Sequence, residues 1–346
     1  MNSETDFKPA LFWRAGEKDK ETICYLCFRS CKILPGQRGF CQSRLNHDGS
    51  LLTLNYGYDR SVSFDPVEKK PLYHFWPGSV TFSIGAPGCN LDCRGCQNSD
   101  LSRPGKDWQP HKISKLILDN LFSLAKLSNA QSFSFTYSEP TVFYEYAKDL
   151  TELAQKLNMP VIWVTNGHMN PNVLKSLPIS AINIDLKGFT EDFYQKIASG
   201  RLSVVKKNIE TALYLGIWVE ITTLLIPGLN DSTESLTETA AYLACLSQDL
   251  PWHISRFFPK RFQKDIAPTP VSTLLKAREI GLDQGLKYVY LGNAQGHHFS
   301  DTICPKCGQV LAARNGFSLE FNLLSDVDSK CPFCQTPVVG VWGKST

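Results

Sequence analysis

Three closely spaced cysteines offer the most distinctive chemistry in the chain. Cys89, Cys93 and Cys96 stand at C-x3-C-x2-C spacing in the segment GAPGCNLDCRGCQN, so one short loop can bring three thiolates to one point. A [4Fe–4S] cluster usually takes four cysteines, one for each iron, and three would leave one iron with an open position, as in a catalytic metal site. The alternative is a zinc site completed by a distant histidine or cysteine. We call these residues the central cysteines.

Eight further cysteines form two sets of four at metal-ligand spacing. The N-terminal cysteine set consists of Cys24, Cys27, Cys31 and Cys41. The C-terminal cysteine set consists of Cys304, Cys307, Cys331 and Cys334. Because a reducing cytosol keeps thiols free, clusters at CxxC spacing indicate metal sites and not disulfides.

The two sets differ in how far their spacing identifies the metal. The paired CxxC motifs of the C-terminal set predict a closed zinc ribbon with a structural role. The N-terminal set predicts zinc or an auxiliary iron–sulfur cluster, because four thiolates saturate either one, and we favour zinc slightly. We expect the remaining cysteine, Cys245, to pack on the apolar face of a helix.

The elements that must position these residues alternate between strands and helices. Short runs rich in β-branched and aromatic residues predict strands at 79–84, 131–137, 161–165, 181–186, 218–225, 253–258 and 287–291. Amphipathic segments between them predict helices, among them 113–127, 141–157, 235–248 and 271–285. This alternation predicts an α/β fold with a parallel sheet, either open or closed into a barrel, with functional residues at the C-terminal ends of the strands.

The cysteine sets outside this alternation predict three parts. Residues 1–78 form an N-terminal four-cysteine module, residues 79–292 the α/β domain, and residues 293–346 a C-terminal module similar to a zinc ribbon. Segments this short rarely bury enough apolar surface to fold alone, so we expect metal ions to stabilise both outer modules.

A C-x3-C-x2-C loop directly after the first strand resembles the signature of the radical S-adenosylmethionine (SAM) superfamily. The resemblance implies a partial (β/α)6 barrel whose cluster, bound by the central cysteines, holds SAM on its open iron. It further implies that an external donor of the flavodoxin or ferredoxin type reduces the cluster. SAM is then cleaved to methionine and a 5′-deoxyadenosyl radical, which takes a hydrogen atom from the substrate.

An ordered series of segments narrows the resemblance over about residues 22–342. The series is DPVEKKPLYHFWPG, CNLDCRGCQN, FTYSEPTVFYEY, INIDLKGF, VEITTLLIPGLND, PWHISRFFP and KYVYLGN. It is similar to the radical SAM member of the AmmeMemoRadiSam system, a group related to the pyruvate formate-lyase activating enzymes. The group name implies Memo-like and AMMECR-like partner proteins.

The resemblance also implies which residues bind SAM. They are Glu139, Thr165, Asn166, Asp185, Lys187, Glu220 and Arg256. Glu139 takes the place of the family's GGE motif, which receives the SAM amino group, and the TNG and DLK segments face the ribose, methionine and substrate. Arg256 would pair with the SAM carboxylate.

Each of these assignments has a structural alternative. Glu139 could instead provide the acidic charge at a helix N-terminus. Asp185 and Lys187 could form an internal salt bridge, since charges in an apolar strand are costly to bury alone. Glu220 shares a strand face with Thr222, and we expect both to point into the barrel.

Composition limits the classes of partner. The chain is 42% hydrophobic and 20% charged with a formal net charge of +3, so we expect neither nucleic acid nor a membrane as partner. It shows no signal peptide and no long apolar run, and we expect a cytoplasmic location. Our leading hypothesis is a radical SAM enzyme acting on a small metabolite or cofactor precursor. The alternatives are an enzyme that activates a glycyl-radical protein and a non-catalytic binding protein whose fold is stabilised by zinc.

Overall fold

A computed structural model of the chain describes residues 7–105, 108–110, 115–296, 298–324 and 329–343. Within these ranges one eight-stranded sheet forms the centre, and three small sheets of three strands each are built from the segments before and after it. None of the helices in the described ranges is long and apolar enough to cross a membrane.

Six short strands precede the central sheet. They are β1 Lys8–Pro9, β2 Trp13–Ala15, β3 Thr22–Cys24, β4 Cys31–Ile33, β5 Arg44–His47 and β6 Ser50–Thr53. The first antiparallel sheet has the order β2-β3-β4 and the second the order β1-β6-β5. Cys24 and Cys31 are register partners on β3 and β4, so the turn between these strands gathers three members of the N-terminal cysteine set.

The central sheet runs in sequence order from one edge to the other. Its strands are β7 Val62–Pro66, β8 Val80–Ile84, β9 Ser132–Phe135, β10 Val161–Thr165, β11 Ala181–Asp185, β12 Trp218–Leu225, β13 Trp252–Arg256 and β14 Val289–Gly292. Strands β8 to β14 are parallel, and β7 lies antiparallel beside β8. The predicted α/β fold with a partial, barrel-like parallel sheet is confirmed.

Helices follow most of the parallel strands. They are α1 Ser99–Ser102, α2 Lys115–Leu127, α3 Tyr144–Lys156, α4 Pro171–Ser176, α5 Glu191–Phe193, α6 Leu202–Tyr214, α7 Thr233–Leu246 and α8 Val271–Asp283. Of the helix predicted at 113–127, residues 113 and 114 lie outside the described residues. On α7, the side chain of Ser232 accepts a hydrogen bond from the Ser235 N–H and so caps the helix. The prediction for Cys245 was wrong, because α7 presents it to solvent.

The alternation of side chains along the strands separates a hydrophobic core from a polar interior. Phe82, Phe133 and Ile182 are fully buried in a large apolar cluster with residues of the surrounding helices. The opposite face carries hydroxyls, amides and charges, as at Ser83 and Asn183. Because successive residues of a strand point to opposite faces, one face packs under helices while the other lines the barrel.

The segment 67–76 closes the N-terminal end of the barrel. Its apolar residues Val67, Leu72 and Phe75 pack against the starts of β10 and β11. Asn183 of β11 donates from its side-chain amide to the carbonyl of Pro71 at 2.8 Å. Residues 62–76 fall within the predicted N-terminal module, yet they form β7 and this closing segment, so the central domain begins before residue 79.

The C-terminal strands pack beneath this closing segment. They are β15 Thr302–Ile303, β16 Val310–Asn315 and β17 Ser318–Asn322. The buried Arg314 donates to the carbonyl of Tyr73 at 2.8 Å, and the imidazole of His74 bonds the carbonyl of Val339 at 2.7 Å. The C-terminal module is therefore attached at the end of the barrel opposite to the C-terminal strand ends.

Candidate active site

A cavity of about 550 Å³ opens at the C-terminal ends of the parallel strands. Its volume lies in the range of small-molecule sites, and its position is the one that barrel enzymes use. The predicted residues that line it are Cys89, Cys93, Cys96, Glu139, Thr165, Asn166, Asp185 and Lys187. The structure thus brings together eight of the ten residues predicted for the active site.

The loop that carries the central cysteines is held by contacts from other parts of the chain. Gly88 adopts φ +112°, and a Cβ atom there would lie 2.1 Å from Ser43 Oγ, so the loop passes where only glycine fits. Arg261 donates to the carbonyl of Cys93 at 2.7 Å and forms an ion pair of 2.8 Å with Asp92. These contacts fix the loop backbone and direct its thiols toward the cavity.

The environment of the central cysteines fits a bound metal cluster. Burial raises the pKa of Cys89 and of Cys93, and at Cys93 the nearby Lys187 ammonium partly offsets this effect. Thiolates at such positions require a cation to stabilise their charge. No fourth cysteine is found among the described residues that line the cavity. The donor set therefore fits a [4Fe–4S] cluster with one iron left without a protein thiolate.

Glu139 joins the ends of two neighbouring strands. One carboxylate oxygen accepts hydrogen bonds from Thr165 Oγ1 at 2.7 Å and from the Thr141 N–H at 3.1 Å, and the other accepts from the Asn166 N–H at 2.9 Å. Burial raises the pKa of Glu139, and these hydrogen bonds oppose the rise. Glu139 thus lines the cavity and also caps the short helix Pro140–Phe143, so both of its predicted positions are present.

Asn166 connects the end of β10 to the cysteine loop. Its side-chain amide donates to Asn90 Oδ1 at 2.8 Å and lies 3.6 Å from Cys89 Sγ. Hydrogen bonds to a sulfur ligand tune a metal centre and orient the ligand. The strand end and the central cysteines are therefore one connected unit.

Asp185 and Lys187 form an ion pair at the cavity wall. Lys187 Nζ lies 2.7 Å from Asp185 Oδ2, and the two side chains are 24% and 33% exposed. Burial opposes the charge on Lys187, but Asp185 and Cys93 raise its pKa overall. The predicted internal salt bridge is present, and it faces the cavity.

Glu220 lies outside the cavity, in the layer below it. Its fully buried carboxylate accepts four hydrogen bonds, from the N–H groups of Tyr73 and His74 and from the rings of Trp218 and His253. Burial works against the charge, yet these donors lower the pKa of Glu220. Glu220 does point into the barrel as expected, but the closing segment occupies it, so a direct SAM contact does not fit the structure.

Arg256 also lies away from the cavity. Its neighbour Ser255 lines the cavity, so Arg256 projects from the other face of β13. Its guanidinium donates to the carbonyl of Thr269 at 2.7 Å and stacks over Phe258. The expected ion pair with the SAM carboxylate therefore does not fit the structure.

Several polar residues that line the cavity were not among the site residues predicted from the sequence, and three of them bear on its chemistry. Lys69 and Lys70 line the cavity beside β7, and Lys70 forms a buried ion pair of 2.6 Å with Asp65. Thr222 lines it from β12, and its buried hydroxyl has no hydrogen-bond partner in the part of the chain that the structure describes. In the sequence, the feature that could have indicated Lys69 and Lys70 is the pair of adjacent lysines in the EKK segment, which precedes the first parallel strand.

The C-terminal cysteine set forms a compact four-cysteine site. Its four sulfur atoms all lie within 4.8 Å of one another, and Cys304 Sγ is 3.6 Å from Cys334 Sγ. In the ranges that the structure describes, no other group of three or more possible ligands is drawn together this closely. The site lies beneath the barrel, away from the cavity.

The sequence of the chain is similar to those of known proteins. A family model for the radical SAM superfamily matches residues 83–240, which include the central cysteines. The uncharacterized protein MJ0808 of Methanocaldococcus jannaschii is 38% identical over 317 residues, or 91% of this chain and 94% of that protein. The putative glycyl-radical enzyme activating enzyme MJ1632 of the same organism is 26% identical over 202 residues, or 56% of this chain and 74% of that protein.

A solved structure supports the same fold. Streptococcus suis SuiB bound to S-adenosylmethionine matches with a TM-score of 0.50 and 14% identity, covering 67% of this chain and 53% of that one. At this identity the likeness concerns the fold alone. Because the family model covers the cysteine loop and strands β9 to β12, and MJ0808 matches over nearly its whole length, the chain belongs to the radical SAM superfamily, whose members are enzymes.

Proposed function

We propose that the central cysteines hold a [4Fe–4S] cluster and that the adjoining cavity binds SAM together with a hydrogen donor. The observation that carries this proposal is that the three cysteines line the same cavity of about 550 Å³ as Glu139 and the Asp185–Lys187 ion pair. When bound and reduced, such a cluster supplies the electron that splits SAM into methionine and a 5′-deoxyadenosyl radical, which then takes a hydrogen atom from the substrate.

The cavity residues have distinct roles in this proposal. Glu139 orients the SAM amino group, since a carboxylate accepts hydrogen bonds from an ammonium. Lys187, positioned by Asp185, meets the SAM carboxylate in place of Arg256, which faces the other side of its strand. Thr165 and Asn166 complete the wall next to the cysteine loop.

The favoured substrate is a small metabolite or cofactor precursor. The cavity volume supports this, because it is of the size that encloses a small molecule. Activation of a glycyl-radical protein is the second candidate, and the similarity to MJ1632 favours it. Deuterium transfer from labelled candidates into 5′-deoxyadenosine separates the two, because only the true hydrogen donor labels the product.

The ordered motif series supports membership of the AmmeMemoRadiSam group, which we include in the proposal together with its Memo-like and AMMECR-like partners. A flavodoxin- or ferredoxin-type protein would serve as the external electron donor. The free thiols and an oxygen-labile cluster suit a reducing, cytoplasmic location.

The C-terminal cysteine set is proposed to bind zinc with a structural role. Zn–S bonds of about 2.3 Å in a tetrahedron place the sulfur atoms about 3.8 Å apart. The 3.6 Å separation of Cys307 Sγ and Cys331 Sγ is close to that value. A Cys307→Ser variant should then lose zinc and unfold at a lower urea concentration, whereas unchanged zinc content would contradict the assignment.

The decisive experiment measures SAM cleavage. The chain is reconstituted without oxygen with iron and sulfide, and 5′-deoxyadenosine is counted after addition of SAM and dithionite. Cys93→Ala should abolish the product, while Cys245→Ser, at an exposed cysteine outside all three sets, should leave it unchanged. Product formation by Cys93→Ala at the wild-type rate would remove the cysteine loop from the reaction.

A further inference from the structure

The N-terminal cysteine set lines a small cavity of its own. All four cysteines line it, and the cavity has a volume of about 20 Å³, which is room for one water-sized particle. A single zinc ion bound at about 2.3 Å from each sulfur leaves no such space. The sulfur atoms of the set are also not drawn together within 4.8 Å, as those of the C-terminal set are, so they stand further apart than the thiolates of a single zinc ion.

The C-terminal set provides an internal comparison within the same chain. Its sulfur atoms lie within 4.8 Å of one another, whereas those of the N-terminal set, although all four residues are described, do not form such a group. The central cysteines also lack that close spacing. In a [4Fe–4S] cluster each thiolate binds a different iron, so the sulfur atoms stand further apart than around one zinc ion.

The wall of this cavity is apolar, with one unpaired donor. Leu26, Ile33, Phe40 and Val142 line it together with Arg44. Arg44 is 1% exposed, and its Nε–H has no hydrogen-bond partner among the described residues. Buried donors are rarely left unpaired, so this N–H suits an acceptor bound next to Arg44. Inorganic sulfide or a thiolate can accept it.

The cavity lies directly behind the cysteine loop of the active site. Asn90 lines it, while the preceding residue, Cys89, lines the active-site cavity. Arg29 also lines it and donates to the carbonyl of Asn90 at 2.5 Å. Cys27 forms a β-bridge with Met169, just beyond the TNG segment. One layer of backbone thus separates the two cysteine groups.

We propose that Cys24, Cys27, Cys31 and Cys41 bind a second [4Fe–4S] cluster, fully ligated by protein thiolates and placed next to the catalytic loop. This proposal departs from the slight preference for zinc given in the sequence analysis, where the cysteine spacing fitted either metal. The proposal does not depend on SAM cleavage, because it concerns a site with no open iron.

Metal analysis of a chain without the central cysteines tests the proposal. A Cys89→Ala/Cys93→Ala/Cys96→Ala variant, reconstituted without oxygen, should retain about four irons and four sulfides per chain and the Mössbauer spectrum of a [4Fe–4S] cluster. About two zinc ions and no iron per chain would overturn the proposal. Because this variant cannot cleave SAM, the result is independent of the proposed activity.

A second variant, which removes thiols of the N-terminal cysteine set, tests the proposal even if the first variant misfolds. Cys27→Ser/Cys31→Ser should lower the iron content of the reconstituted chain from about eight to about four, with Cys245→Ser as the control that keeps about eight. In the reduced wild-type chain, electron paramagnetic resonance should show two magnetically coupled clusters, and each variant should show one uncoupled signal. Wild-type protein with about four irons, or two uncoupled signals, would contradict the second cluster or its position.

Discussion

Replacing Glu220 by glutamine should destabilise the protein without removing its catalytic groups. The carboxylate is fully buried and accepts hydrogen bonds from the Tyr73 N–H at 3.0 Å and the His253 ring at 2.6 Å on one oxygen. On the other oxygen it accepts from the His74 N–H at 2.8 Å and the Trp218 ring at 3.0 Å. A glutamine keeps one acceptor oxygen and turns an NH2 group toward the other pair of donors.

The expected loss follows from the donors left unpaired. Two buried N–H groups without acceptors cost about 2–6 kcal/mol together, at about 1–3 kcal/mol each. If the NH2 group faces His253, the imidazole can change tautomer and accept, which leaves one donor unpaired. The free energy of unfolding should therefore fall by about 1–3 kcal/mol.

Thr222→Val provides the matched control, two residues along the same strand face. The Thr222 hydroxyl is buried, lines the cavity and has no partner among the described residues, so its removal should change the free energy of unfolding by less than about 1 kcal/mol. If that hydroxyl bonds a bound ligand, kcat/KM for SAM cleavage should fall by about three- to tenfold.

Urea unfolding and 5′-deoxyadenosine formation, measured on both variants, test whether Glu220 lies in the layer below the cavity and Thr222 in the cavity wall. Glu220→Gln should lower the urea midpoint and leave the rate per folded molecule near that of the wild type. The reverse pattern, a wild-type midpoint with lost cleavage, would show that Glu220 acts in the cavity and that the layer assignment is wrong.

Three further outcomes are expected. The wild-type protein should be more stable than Glu220→Gln above about pH 4.3, and this advantage should disappear as the pH falls through the lowered pKa of Glu220. Urea midpoints measured at several pH values test this expectation. A difference in midpoint that stays constant with pH would refute it. Glu139→Gln should slow SAM cleavage at least about tenfold, because an NH2 group would face the Thr165 or Asn166 donor; wild-type kinetics would refute it. Gly88→Ala should lower the iron content, because a Cβ atom at residue 88 would clash with Ser43, whereas Gly105→Ala, with no atom within 4 Å of the added Cβ, should keep it. Equal iron contents in the two variants would show that the loop does not require glycine at residue 88.

Eight of the ten predicted site residues line one cavity, at the strand ends where the strand pattern placed them. Cys89, Glu139, Thr165 and Asp185 each follow or end a predicted strand, and parallel strands place their C-terminal ends at one edge. Their meeting in one cavity is a consequence of alternating strands and helices, which local residue patterns reveal. The spacing of the cysteines likewise indicated three metal-binding groups before any contact was known.

The SAM contacts predicted for Glu220 and Arg256 do not fit the structure. The depth of a side chain in the barrel, and the strand face from which it projects, depend on contacts with residues distant in sequence. Period-two alternation correctly placed Glu220 and Thr222 on one face, but only the closing segment at 67–76 decided that Glu220 lies below the cavity and Thr222 lines it. For Arg256, the phase of alternation on β13 is set by its register with β12, which pairs Arg256 with Leu225. Neither contact is visible in the residues around these positions.

The amino-acid order by itself therefore determined the class of fold, the three cysteine groups and the strand ends that meet at the site. Folding decided which layer of the barrel each inward residue occupies and how far apart the sulfur atoms of each group stand. The physical reason is that side-chain direction along a strand is a local property with a period of two residues. Depth and metal geometry instead depend on chain segments that are far apart in sequence and packed together only in the folded protein.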